Sequence, residues 1–141
     1  MNNYACRMPA ANPAMLLKNN PQPNLPMPNT QNPTIAALYN SLCTQQAALS
    51  AAIQKATDPK LADAISTENF EIMHRIVVTQ NLLFQQDSPA LQQSVRAVTD
   101  ASPQLQTAIK NIQTVTDVVN DVSCYLTLVD EAIDLAKIMA A

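Results

Sequence analysis

From Ser102 to Ala141 the apolar positions form a row with no missed step: Leu105, Ala108, Ile112, Val115, Val119, Val122, Leu126, Val129, Ile133, Ala136 and Ala140. Steps of three and four alternate throughout, the pattern of a helix that keeps one narrow seam turned toward a partner helix. The spacing predicts a long helix over about 103–140. A second apolar row, Val118, Tyr125, Ala132 and Met139, exists only in its carboxy-terminal part. A further helix is expected to lie against that part.

Upstream, one small pattern recurs: a capping residue, then Pro, then any residue, then an apolar one. It appears as Asn32-Pro33-Thr34-Ile35, Asp58-Pro59-Lys60-Leu61, Ser88-Pro89-Ala90-Leu91 and Ser102-Pro103-Gln104-Leu105. Asn, Asp and Ser accept hydrogen bonds from the first free N–H groups of a helix, and Pro suits its first position, where an N–H has no partner to lose. Four helix starts follow, giving helices at about 33–56, 59–86, 89–99 and 103–140. The first has Ile35, Leu38, Leu42, Leu49, Ala52 and Ala56 on one face, with Gln45 at the missing step as a polar register-setter or a mark of rotation. The second carries Leu61, Ile65, Ile72, Ile76 and Leu83, plus a second row of Phe70, Met73, Val77 and Phe84. So wide an apolar arc is expected of a central helix buried on several sides.

The predicted fold is therefore all-α, an antiparallel bundle of three to four helices with a long C-terminal helix and one domain over 33–141. Lengths suggest a hairpin of the second and third helices against the fourth, with the first covering the fourth helix's carboxy-terminal part. That arrangement leaves the turn between the third and fourth helices with only two layers. Leu91, Val95 and Val98 would face Leu105, Ala108, Ile109 and Ile112 with nothing above them, and two helices bury too little to be secure. These seven residues are the expected partner-binding surface.

Residues 1–32 read differently. Prolines crowd Asn20-Pro21-Gln22-Pro23-Asn24-Leu25-Pro26-Met27-Pro28, a density that excludes helix and strand and predicts an extended arm. Met15, Leu16, Leu17, Leu25 and Met27 make it more adhesive than a solvated linker.

Composition narrows the function classes. Glycine is absent, which removes the phosphate-cradling loops of nucleotide-binding motifs. Net charge is -3, and eight Lys and Arg in all form no basic cluster, so nucleic acid is not an expected partner. Cys6, Cys43 and Cys124 are widely spaced with no CxxC pair, as free thiols in a reducing compartment would be. No apolar run approaches the ~18 residues of a membrane span, and the amino terminus has no signal-peptide core. The expected location is cytoplasmic, or exported without a cleavable signal.

Catalysis has little to build on. His74 is the single histidine, in Glu71-Ile72-Met73-His74, and a carboxylate-bridged metal site would need a second such pair with two more carboxylates. Cys43 and Cys124 have no basic neighbour in sequence to lower a thiol pKa. No cofactor or metal is expected. The reading is a non-catalytic bundle acting through a protein partner or self-association, as a structural, adaptor or inhibitor-like subunit. The alternative is a membrane-active or surface-coating protein, such as a pore-forming component or granule coat, in peripheral contact with lipid.

Overall fold

Three of the four capping signals start helices. In the computed structural model, which describes residues 31–140, Asn32 Oδ1 accepts from the N–H groups of Thr34 (2.9 Å) and Ile35 (3.3 Å). Asp58 Oδ1 accepts from Lys60 N–H (3.0 Å), and Ser88 Oγ from Leu91 N–H (3.1 Å). The helices that follow are α1 (Pro33–Lys55), α2 (Pro59–Gln80) and α3 (Pro89–Lys110), and α4 (Val115–Ala140) completes an all-α bundle with no strand among the described residues. The expected arm, apart from residues 31 and 32, lies outside the described residues.

The fourth signal is not a helix start. Pro103 lies inside α3, and the joint falls later, at residues 111–114, so the long helix expected over 103–140 is two elements. Ser102 does not cap: its carbonyl and hydroxyl oxygens both accept from Gln45 Nε2 of α1, the carbonyl at 3.2 Å. Thr114 provides the cap instead, its hydroxyl accepting from Asp117 N–H at 3.1 Å. The physical reason is length. With the break at 111–114 the four helices have 23, 22, 22 and 26 residues, roughly 33–39 Å each at ~1.5 Å per residue, and each can cover its neighbours end to end. An unbroken helix over 103–140, roughly 55 Å long, would leave a third of its row bare. The expected helix over 59–86 likewise ends at Gln80 and passes into a tight turn, with Leu82 and Leu83 N–H bonding three residues back to Thr79 and Gln80.

Packing forms a ring in which α1 touches α2 and α3, and α4 touches α3 and α2. Two antiparallel hairpins, α1–α2 and α3–α4, thus lie side by side. Polar contacts tie the parallel pairs: Gln45 to Ser102 between α1 and α3, and Arg75 to Asp130 between α2 and α4 through paired contacts of 3.0 and 3.1 Å. Arg75 also pairs with Glu71 one turn back, and its bonds to these carboxylates hold the guanidinium proton more firmly than usual. Helix α1 does not sit over one end of the last helix, as lengths alone suggested, but runs along α3.

Gln45 is fully buried, so the missing step in the α1 row is a register-setter. A second polar contact crosses the centre, where the hydroxyls of Ser41 and Tyr125 share a hydrogen bond of 2.6 Å between α1 and α4. Around both lies one continuous core that includes Leu38, Leu42, Leu49, Ile65, Ile72, Ile76, Val118, Val122 and Val129. The second row of α4 belongs to it through Val118, Tyr125 and Ala132, as expected of that part.

Two predictions follow from the polar pairs. Gln45→Ala leaves a void and takes from the Ser102 hydroxyl its Gln45 donor, and is expected to lower unfolding free energy by about 2 kcal/mol or more in urea, whereas Gln45→Leu fills the space and costs less. Burial pushes the Tyr125 hydroxyl well above its ordinary pKa of 10.0, against the opposing pull of its bond to Ser41. The folded state therefore holds this proton more tightly than the unfolded chain. Stability owed to it is intact below about pH 10 and is lost as pH rises beyond. A series of melting curves above pH 9 is expected to fall less steeply for Tyr125→Phe than for the parent.

Candidate docking surfaces

The seven residues expected to bind a partner are mostly interior. Leu91, Val95, Val98, Leu105 and Ile109 are buried in the shared core, while Ala108 and Ile112 are half-buried. The premise that failed is the two-layer tip. Because α1 packs along α3, with Pro33, Thr34 and Ala37 beside Val95, it supplies the third layer there, and Leu61 and Ile65 at the start of α2 line the same groove as Ile109.

What remains open at that end is a groove of about 440 Å³ between the α1–α2 link and the end of α3. Ala48, Ala52, Leu61, Ile65, Ile109 and Ile112 line it, with Lys55, Asp58 and Lys110 exposed around it. Alanines on α1 create the space, since their short side chains do not reach the facing helices. Ala108 and Leu105 border a smaller hollow of about 320 Å³ between α3 and α4, next to the exposed Cys124 and the half-buried Asp121.

A different apolar surface stands out on α2. Phe70 is 67% exposed, Met73 38%, Val77 56% and Phe84 53%. Phe70, Met73 and Val77 are three and four apart and therefore share one line on the helix; Phe84 follows seven residues on, in the turn after α2. The expectation that this row is core is overturned. Each of Met73, Val77 and Phe84 directly follows a buried residue: Ile72, Ile76 and Leu83. Successive helical residues are ~100° apart, so a helix with two neighbours in a ring buries the first member of each pair and presents the second to solvent.

Polar groups around this stripe are mostly neutral. His74, Gln80 and Asn81 are exposed on α2 and the following turn, and Gln80 Nε2 donates to Tyr39 Oη at 3.1 Å. Glu71 is engaged by Arg75. Among the described residues no group of three or more His, Cys, Asp or Glu stands close enough to hold a metal ion, and no helix is long and apolar enough to cross a membrane.

The turn carrying Phe84 is fastened to the start of α1. Asn32 N–H donates to Leu83 C=O at 2.7 Å and Asn32 Nδ2 to Gln85 C=O at 3.0 Å, so one residue spans both sides of Phe84. Thr34 Oγ1 donates to Asp87 Oδ2 at 2.6 Å, and Gln92 Nε2 and Ser88 N–H donate to the same carboxylate. Partial burial alone would raise the Asp87 pKa, but these three donors outweigh it and hold it below the ordinary value.

No family model matches the chain, and neither curated proteins nor solved structures include one similar enough to count as a match.

The contrast between tip and stripe can be checked by charge insertion. Ile109→Asp places a carboxylate among apolar side chains and is expected to destabilise the bundle by about 3 kcal/mol or more, read as loss of helical circular dichroism at lower urea. Ile112→Asp, at a half-buried position, is expected to cost well under half as much.

Proposed function

We propose that this protein is a non-catalytic helical bundle that works by protein contact, and that the α2 stripe of Phe70, Met73, Val77 and Phe84 is its contact surface. The observation that carries the reading is the exposure of Phe70, Met73 and Val77 along one line of α2, with exposed Phe84 in the turn that follows, above a core whose own residues are closely covered. Monomeric proteins seldom leave contiguous large hydrophobes facing water, because each contributes about 1.5–3 kcal/mol when fully buried. Two Phe side chains and a Met suit contact surfaces, where aromatic residues and Met are enriched.

The rim supports a protein partner over lipid. Surface helices that lie on anionic membranes place Lys and Arg beside their apolar face. His74, Gln80 and Asn81 stand in those positions here. The non-catalytic part of the reading rests on where the polar groups are used. Ser41, Tyr125, Gln45 and Arg75 are all engaged in joining helices to one another.

The stripe is also narrow. Two Phe, a Met and a Val at these exposures offer roughly 400 Å², about half of the ~800 Å² that each partner contributes to a standard interface between globular proteins. That size fits an extended segment or a single helix better than a second globular surface.

Phe70→Glu combined with Val77→Glu tests the assignment. Both side chains are already exposed, so helicity and Tm are expected to stay within a few degrees of the parent. Proteins from the native host that the immobilised parent retains, and any concentration-dependent mass in light scattering, are expected to be lost in the double variant. Retention of both by the variant would remove the stripe from consideration. Release of dye from phosphatidylcholine or phosphatidylglycerol vesicles by the parent would favour a membrane-active protein instead.

A further inference from the structure

We infer that the groove between the α1–α2 link and the end of α3 binds a free fatty carboxylate of medium chain length, with its alkyl chain against Leu61, Ile65 and Ile109 and its carboxylate between Lys55 and Lys110. The groove shares no residue with the α2 stripe, so this inference stands or falls apart from the reading of that surface.

The space originates in the sequence of α1. Ala48, Ala51 and Ala52 face the groove, and side chains of one carbon leave about 440 Å³ open, within the ~300–1,000 Å³ of small-molecule sites. Ile65 and Ile109 close its floor at 1% and 2% exposure, while Leu61 and Ile112 are half-buried. From Ala48 to Lys55 the helix rises roughly 10 Å at ~1.5 Å per residue, which sets the length of alkyl chain that can be covered.

Charge selects the head of the ligand. The chain as a whole has eleven acids and eight bases, yet two of the three charged residues that line this groove are lysines. Both are exposed, and neither has an ion-pair partner among the described residues. Lys55 and Lys110 stand in the last turns of α1 and α3, where a cation ordinarily offsets the partial negative charge of the final carbonyls. Those carbonyls are bonded from the backbone, however: Ala56 N–H donates to Ala52 and Ile53, Asn111 N–H to Ala108, and Ile112 N–H to Ile109. The two ammonium groups thus keep their donors for an acceptor outside the bundle. Asp58, the one acid, is engaged by its own helix, where Oδ1 accepts from Lys60 N–H at 3.0 Å as the cap of α2.

Apolar walls with two unpaired cations favour one alkyl tail with one anionic head. A neutral apolar molecule leaves the ammonium groups without a partner, and a cationic one is repelled. A bilayer is the wrong shape, because helices that lie on lipid present their apolar residues outward, whereas Ile65 and Ile109 are recessed.

Titration of the full chain with octanoate, decanoate and decyltrimethylammonium, all kept monomeric, tests the inference by calorimetry and by the rise in Tm that a bound ligand produces. Decanoate is expected to bind, and octanoate more weakly by about two- to fourfold for each methylene removed. Decyltrimethylammonium, with the same tail and the opposite charge, is expected to bind about tenfold more weakly than decanoate. Lys55→Gln with Lys110→Gln is expected to weaken decanoate about fivefold or more, with the Tm of the free protein within a few degrees of the parent because both side chains are exposed. Ala51→Phe, at an exposed position on the groove wall, is expected to obstruct decanoate with helicity retained. Three outcomes would overturn the inference: neither heat nor a rise in Tm with millimolar decanoate, equal affinity for decanoate and decyltrimethylammonium, or decanoate binding that either variant leaves unchanged.

Discussion

The attachment of the 81–88 turn to the start of α1 decides the rest of the architecture. Asn32 holds Leu83 and Gln85 by their carbonyl oxygens, and Asp87 gathers Thr34, Ser88 and Gln92 around one carboxylate. With the end of α2 pinned there, Pro89 starts α3 beside the start of α1, and the two helices must run parallel. Helix α4 then returns along α2, and the ring closes as α1, α2, α4, α3. A connection that instead laid α3 against α2 would have covered a different side of α2.

Apolar rows alone do not choose between those arrangements. The four helices have similar lengths and Ala-rich flanks, so several pairings would bury comparable apolar area. Buried polar groups discriminate more sharply, because one left without a partner costs about 1–3 kcal/mol. Gln45 finds its acceptors only on Ser102 of α3, and Ser41 meets Tyr125 only when α1 and α4 face across the centre. Arg75 adds a weaker, partly solvated preference for α4 beside α2. The polar contacts contribute little net stability, and their effect is to make the competing rings worse.

How much of this was legible depends on whether the signal was local. Capping by Asn32, Asp58 and Ser88 was, because the donors lie two or three residues downstream. Ser102-Pro103 carries the same local pattern without starting a helix. What distinguishes it is Gln45, 57 positions away, which takes up the Ser102 oxygens and stabilises a helix that contains proline. The true joint has its own short-range mark in Thr114-Val115-Thr116-Asp117, where a hydroxyl caps the backbone N–H three residues on. An unbroken three-and-four row concealed it, since a helix that folds back after 110 and one that continues straight can share the same spacing. A joint at 100–102 would leave α1 only the far end of the last helix to cover and the tip with two layers; the joint at 111–114 gives α1 the length of α3 instead.

The α2 stripe was legible in principle. A wide apolar arc has two explanations, burial on several sides or one buried face beside one exposed face, and the pairs Ile72-Met73, Ile76-Val77 and Leu83-Phe84 are common to both. The difference is made by the number of neighbours. In a ring of four, each helix has two, and the core occupies about a third of its circumference. The buried residues of α2, Ile65, Ile72, Ile76 and Thr79, span only a narrow sector, and a position ~100° away lies outside it. α4 makes the contrast: its two rows, through Val122 and through Val118, are separated by one step of four residues, only ~40° around the helix, and from Val122 onward merge into a single buried face, while Val115 and Val119 at its start are exposed. The angle between rows, more than their number, therefore separates a helix with one buried face from one with an exposed apolar row beside it, and by that measure Phe70, Met73 and Val77 of α2 lie outside its buried sector.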